Sequence, residues 1–241
     1  MQLLILNPNT SVAVTERLRE HVAGIAAPDV ALHAATAAFG ARYIADETSF
    51  AVAGHAALVA YAGHCQRRGR PDAVLVGCFG DPGVWALREL SGLPVVGLAE
   101  AAMREAAGFG RFAIVTGGAG WDPMLRRLAR TLGLADALAG VHVVAPTGAQ
   151  LAADPKMALS LLGKVCQQAA AGADAVILGG AGLVGMAARL APQLSVPLID
   201  SVTAGARALF GDCSGFVAAR PAVTEPCRLE GVSAALQRMP H

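Results

Sequence analysis

Cys78 stands between two glycines where a short apolar run stops, in Asp72-Ala73-Val74-Leu75-Val76-Gly77-Cys78-Phe79-Gly80-Asp81-Pro82-Gly83. A thiol at such a place can take or give a proton, and the glycines let backbone N–H groups approach a small ligand closely. The run returns 102 positions later as Asp174-Ala175-Val176-Ile177-Leu178-Gly179-Gly180-Ala181-Gly182, with Gly180 where the first copy has Cys78. Two opposed acid/base groups, one from each copy, suit racemisation: one removes the proton next to a carbonyl, the other returns a proton on the opposite face of the planar carbanion. A single thiol serves one face only. The bland alternative is a tight strand-to-helix turn with a buried, inert cysteine. Two copies at related positions favour a site.

Both runs hold four or five apolar residues without polar alternation, the pattern of strands buried on both faces of a parallel sheet. Ligands of such sheets bind outside the carboxyl ends of the strands, where these glycines fall. Other strand ends add candidates. Residues 2–6 predict a first strand, followed by Asn7-Pro8-Asn9-Thr10-Ser11, a turn with two side-chain amides and a hydroxyl cap, Thr10 or Ser11, for a helix from Val12 to about Ile25. Val30–Ala35 reads as a strand, Phe39–Asp46 with Tyr43 as a loop crossing back over the sheet, and Asp46–Arg68 as a helix carrying His55 and His64 near opposite faces as surface or packing residues. A helix begins at Trp85–Glu89, Leu93–Gly97 is a short buried strand, and Ala99–Ala107 is helical up to Gly108 and Gly110.

A second cycle follows. Phe112–Val115 is a strand ending in the turn Thr116-Gly117-Gly118, a helix covers about Asp122–Leu132, Val141–Val144 is a strand, and the helix Pro155–Ala170 leads into the second glycine run. Val196–Asp200 then mirrors Leu93–Gly97, and Ser201–Leu209 is a helix. The tail from Gly215 to His241, with Pro221, Pro226 and a short helix, is expected to pack back on the first half. Alternating strands and helices predict an α/β protein of two pseudo-symmetric domains, each a parallel-sheet αβα, flavodoxin-like sandwich, with the site in the cleft between them. The expected bounds are 1–96 plus 210–241 for one domain and 97–209 for the other. Asn7, Cys78, Thr116 and Gly180 are expected to converge on the cleft.

A net charge of +1 gives no electrostatic case for nucleic acid or an anionic membrane surface as partner. Hydrophobic content reaches 54%, but charges interrupt every long apolar run, so no membrane span is expected. The start, without a basic n-region, reads as a strand, which predicts a cytoplasmic protein. The cysteines at 65, 78, 166, 213 and 227 form no CxxC pair and no zinc spacing with histidine, so neither metal nor disulfide framework is expected; Cys65 and Cys166, in helices, are expected to be inert. Cys78 is expected to be the low-pKa, first-reacting thiol.

Asn7-Pro8-Asn9-Thr10, Gly77–Gly83 and Ile177–Gly182 together resemble the aspartate/glutamate/hydantoin racemase superfamily, on its hydantoin and allantoin racemase branch, over residues 2 to about 210. The resemblance implies a cofactor-independent enzyme, a small-molecule substrate and a homo-oligomer. It implies Cys78 as one acid/base, with Asn7 or Asn9, Phe79, Thr116, Gly117 and the backbone of Gly180 and Ala181 around the substrate; Tyr43 and Gly80 complete the candidate set. Gly180 departs from that branch, whose members carry a second cysteine there. Cys166, the nearest in sequence, lies in the preceding helix. The superfamily also contains arylmalonate decarboxylases, which this chain resembles in keeping a single cysteine, though they keep the one in the opposite half. Three readings stand: a racemase of a small chiral amide or amino-acid derivative of hydantoin or allantoin type, a single-thiol lyase or isomerase working through an enolate, and an inactive small-molecule binder.

Overall fold

A computed structural model describes residues 1–217 and 229–239. Strands β1 (Gln2–Asn7), β2 (Ala31–Thr36), β3 (Ala73–Val76) and β4 (Val95–Gly97) form one sheet in the order β2-β1-β3-β4. Strands β5 (Phe112–Gly117), β6 (Leu138–Val144), β7 (Ala175–Gly179) and β8 (Leu198–Asp200) form a second in the corresponding order, β6-β5-β7-β8. All pairings are parallel. The α/β expectation of two similar halves is met, for the reason the apolar runs gave: β3 and β7 are buried along their whole lengths.

In the first half the helices are α1 (Val12–Ala23), α2 (Glu47–Arg68), α3 (Val84–Ser91) and α4 (Leu98–Ala107). In the second they are α5 (Trp121–Thr131), α6 (Gly148–Ala153), α7 (Pro155–Ala170), α8 (Met186–Leu190) and α9 (Ser201–Phe210). The short α10 (Ala234–Gln237) packs on α2, as expected of the tail, and buries Leu236. Pro221, Pro226 and Cys227 lie outside the described residues. Asp46 and Ser49 form a capping box at the start of α2, and Asp200 accepts the N–H groups of Val202 and Thr203 at the start of α9. Ser11 stands at the N-cap of α1 but its side chain makes no capping bond, against expectation; its N–H instead donates to Asn9 Oδ1 at 2.8 Å.

The two sheets share a core through α4 and α9. Helix α4 leaves the first sheet to pack on β7, α9 leaves the second to pack on β3 and β4, and the two helices lie against each other. Leu75 and Leu98 thereby join Ile114, Ile177 and Val202 in one buried cluster. Helix α9 comes so close that a Cβ on Gly205 would stand 2.9 Å from Leu75 Cδ1.

Asp81 ties the Cys78 turn to this seam. It is the one non-glycine residue at positive φ (64°) among the described residues, and its two carboxylate oxygens accept the N–H groups of Ala99 at 2.9 Å and Glu100 at 2.7 Å, capping α4. Gly97 lies directly beneath that carboxyl, where a Cβ has no room. Behind it, buried Arg88 donates to Val95 O at 2.9 Å and pairs with Glu100 at 2.6 Å. Asp81→Ala removes the cap and leaves two buried N–H groups unpaired, a loss of about 2–4 kcal/mol that urea unfolding would read. An unchanged midpoint would count against the tie. Burial pushes the Asp81 carboxyl up from 3.8 to about 7, against the pull of its two N–H donors. The folded state therefore holds this proton longer than the unfolded chain, so its stabilising contribution is full below about pH 4 and is lost as pH rises through about 7. Asp81→Ala should lack that slope.

Candidate active site

A cavity of about 270 Å³ opens between the halves at the carboxyl ends of the strands. Its size suits a small metabolite. Cys78 and Phe79, after β3, and Gly180 and Ala181, after β7, line it together with Asn9, Tyr43, Thr116 and Gly117. The glycine runs of the two copies thus meet around one space.

Asn7 and Gly80 are not among the residues lining it, against expectation. Asn7 is fully buried, and its amide is consumed in holding the turn: Nδ2 donates to Asn9 Oδ1 at 2.9 Å, Ser11 O at 3.0 Å and Thr15 Oγ1 at 3.0 Å, while Oδ1 accepts from Asn9 N. The effect is to aim Asn9, whose Nδ2 makes no hydrogen bond among the described residues. Gly80 is a glycine for another neighbour: the indole of Trp121, from the second half, lies where its Cβ would be. The reciprocal contact sets the ring of Phe79 against Gly179. Tyr43 also crosses, its hydroxyl donating to Gly117 O at 2.8 Å, and burial pushes its pKa up. Aromatic side chains of each half therefore lie on glycines of the other, which fixes the spacing of the walls.

Thr116 Oγ1 donates to Gly179 O at 2.8 Å and holds the two strand ends of the second half together. Gly180 adopts φ 140° and its N–H donates to Ser201 Oγ at 3.3 Å, so that donor is turned away from a ligand. The N–H groups of Phe79 and Ala181 make no hydrogen bond among the described residues, and one comes from each half. Such donors stabilise negative charge developing on a carbonyl oxygen.

Cys78 is 6% exposed. Burial pushes its thiol pKa up, and the Asp81 charge acts the same way. The expectation of a low-pKa thiol is therefore not met: apolar neighbours brought from afar in the chain outweigh the local glycine turn, and the resting group is a protonated thiol. Cys166 is buried and pushed up to about 12, as a structural residue would be. Cys213 is partly exposed and Cys78 is buried, so alkylation near neutral pH should mark Cys213 before Cys78, with peptide mapping as the check. Labelling of Cys78 first would show that its pocket opens to solvent. His64 is buried with its pKa lowered by that burial, 5.5 Å from the ring of His33, and exposed His55 stacks edge-on against Phe39; both are packing residues.

Several lining residues were not singled out from sequence: Arg17, Arg42, Trp121, Gly148 and Leu183. Gly148 begins α6, which a capping box of Thr147 and Gln150 announces three residues apart. Arg17 follows Val14 by three on α1 and shares its face, so the helical period leading out of the Asn-rich turn pointed to it. No group of three or more metal-binding side chains gathers among the described residues, and no helix among them is long and apolar enough to cross a membrane.

Two parallel-sheet halves of one topology, meeting at a cavity lined by a cysteine turn of one half and a glycine turn of the other, define a pseudo-symmetric two-domain α/β class of protein. The sequence profile of the Asp/Glu/Hydantoin racemase family matches residues 3–209, and the chain belongs to that family. It is 33% identical over 210 residues to hydantoin racemase of Paenarthrobacter aurescens, covering 86% of this chain and 89% of that protein. Its fold superposes on allantoin racemase from Klebsiella pneumoniae with a TM-score of 0.87 and 29% identity, covering 99% of this chain and all of that one. Arylmalonate decarboxylase shares the fold, with a TM-score of 0.60 and 20% identity over 92% of this chain and 96% of that one.

Proposed function

We propose that this chain is an isomerase that needs no cofactor, a racemase of a small chiral amide or amino-acid derivative of the hydantoin or allantoin type, with Cys78 moving the proton on the carbon next to a carbonyl. The observation that carries the reading is the joint cavity, in which Cys78 of one half lies with the N–H groups of Phe79 and Ala181, unpaired among the described residues, and the glycine turn of the other. Substrate binds with its carbonyl oxygen toward those two N–H groups. The Cys78 sulfur, as thiolate, takes the α-proton; the electron pair of the broken C–H bond passes to the carbonyl oxygen, and the enolate is held by the two donors. Reprotonation from the Cys78 side regenerates the starting enantiomer, and protonation from the Gly180 side inverts it. Gly180 is the position of the missing second cysteine in this reading.

The burial of Cys78, which is 6% exposed, favours a second reading. A resting thiol kept protonated by burial is set to deliver a proton to a carbanion, which is what a single-thiol lyase needs after carbon dioxide has left. The deciding experiment follows α-deuterium incorporation from heavy water and optical rotation with both enantiomers of a 5-substituted hydantoin and of allantoin, beside carbon dioxide release from a 2-substituted malonate. Exchange of an α-hydrogen supports the racemase reading. Release from the malonate without exchange supports the lyase, and neither reaction would leave a binder and overturn both.

A further inference from the structure

The cavity holds two charged side chains, and both are cationic. Arg17 on α1 and Arg42 in the loop before α2 line it, and no aspartate or glutamate does. Neither guanidinium is paired with a carboxylate among the described residues, although acidic side chains lie near both in sequence. Three of those acids are engaged elsewhere: Glu16 with Arg19 at 2.9 Å, Asp46 with the N–H of Ser49 at 2.7 Å, and Glu47 with Arg127 across the two halves. The first turn of α1, which reaches the cavity through Ser11, carries no acidic residue either. Arginine is suited to binding a planar carboxylate with paired hydrogen bonds. The backbone of Gly77, Gly117, Gly179, Gly180 and Gly182 also lines it, and such backbone can read carbonyl and amide groups.

From this lining we infer that the substrate is an anionic ureide: a hydantoin-like head against Phe79 and Ala181, and a side arm ending in a carboxylate held by Arg17 and Arg42. The inference rests on the proton-transfer reading for the placement of the head; the charge of the cavity carries the arm. Exposed arginines at the cavity also draw anions toward it and repel cationic side arms.

The test pairs two hydantoins of equal shape, one with a 2-carboxyethyl arm at C5 and one with the matching 2-carbamoylethyl arm. Calorimetric binding and α-deuterium exchange are measured with the unaltered protein, Arg17→Gln, Arg42→Gln and the double variant. The carboxylate is expected to bind about 10- to 100-fold tighter than the amide, as charge-assisted hydrogen bonds allow. The preference should shrink with added salt and collapse toward unity in the double variant, through KM rather than kcat where exchange is seen. Both arginines are exposed, so thermal unfolding of the variants is expected to match the unaltered protein, separating lost recognition from lost folding. Equal affinity for the two arms, or a preference that survives the double substitution, overturns the inference whether or not exchange occurs. A carboxylate preference that the double variant loses, with no exchange of either compound, supports it and sinks the racemase reading instead.

Discussion

Cys78→Ala is expected to lower α-hydrogen exchange by about 10²- to 10⁴-fold, the range ascribed to one positioned acid/base, while leaving ligand affinity within a few-fold. The side chain is small and sits beside the ligand space, so its loss removes the proton carrier and little contact. A buried cysteine is also a core residue, and truncation to alanine there costs stability; a serine at the same place would keep the volume and lose the thiol chemistry. Cys78→Ser should therefore be as inactive as Cys78→Ala, and unfolding midpoints of both variants show how much of any loss is stability rather than chemistry. The pH dependence gives an independent check. Because burial and Asp81 raise the thiol pKa, the thiolate fraction grows with pH beyond the ordinary cysteine range, and exchange should still be rising there. A rate that levels off near neutral pH would show that binding ionises the thiol or that another group is the base. Retained exchange in both variants would end the case for Cys78.

The parallel strands were legible because burial on both faces writes uninterrupted apolar runs, and the repeat of one run carried the pairing of the halves. What the sequence concealed depends on contacts between those halves. Asn7 looks like a ligand-binding amide at a strand end, yet its three donor contacts fold the turn that presents Asn9. Gly80 looks like a place for a ligand to approach, and an indole from 41 residues later approaches instead. The raised pKa of Cys78 is hidden on the same ground: local glycines suggest accessible dipoles, but desolvation is set by elements distant in sequence. Short helices such as α6 and α8, at six and five residues, carry too little periodicity to be seen, and only a capping pair betrays the first.

Gly180→Cys is expected to raise inversion relative to exchange by orders of magnitude, because in the proposed racemase reading it adds a proton carrier on the face opposite Cys78. The unaltered protein should exchange the α-hydrogen of one enantiomer and invert it slowly, since a water on the Gly180 side lacks a fixed geometry. Space for the new side chain exists: a Cβ on Gly180 would stand 3.5 Å from Leu183 Cγ and 4.0 Å from Thr116 Oγ1, ordinary contacts. The obstacle is the backbone. At φ 140° an L-residue is strained, by about 1–3 kcal/mol, and relaxing toward an extended conformation rotates the peptide whose N–H now bonds Ser201 Oγ. The variant should consequently lose a few degrees of thermal stability even as inversion appears. Gly180→Ala supplies the control, since it carries the same strain without a thiol: it should show the stability loss and no gain in inversion. Polarimetry and α-deuterium incorporation on both enantiomers decide the matter. Inversion unchanged in a folded Gly180→Cys protein, or equal and rapid exchange of both enantiomers before substitution, would place the second acid/base elsewhere in the cavity.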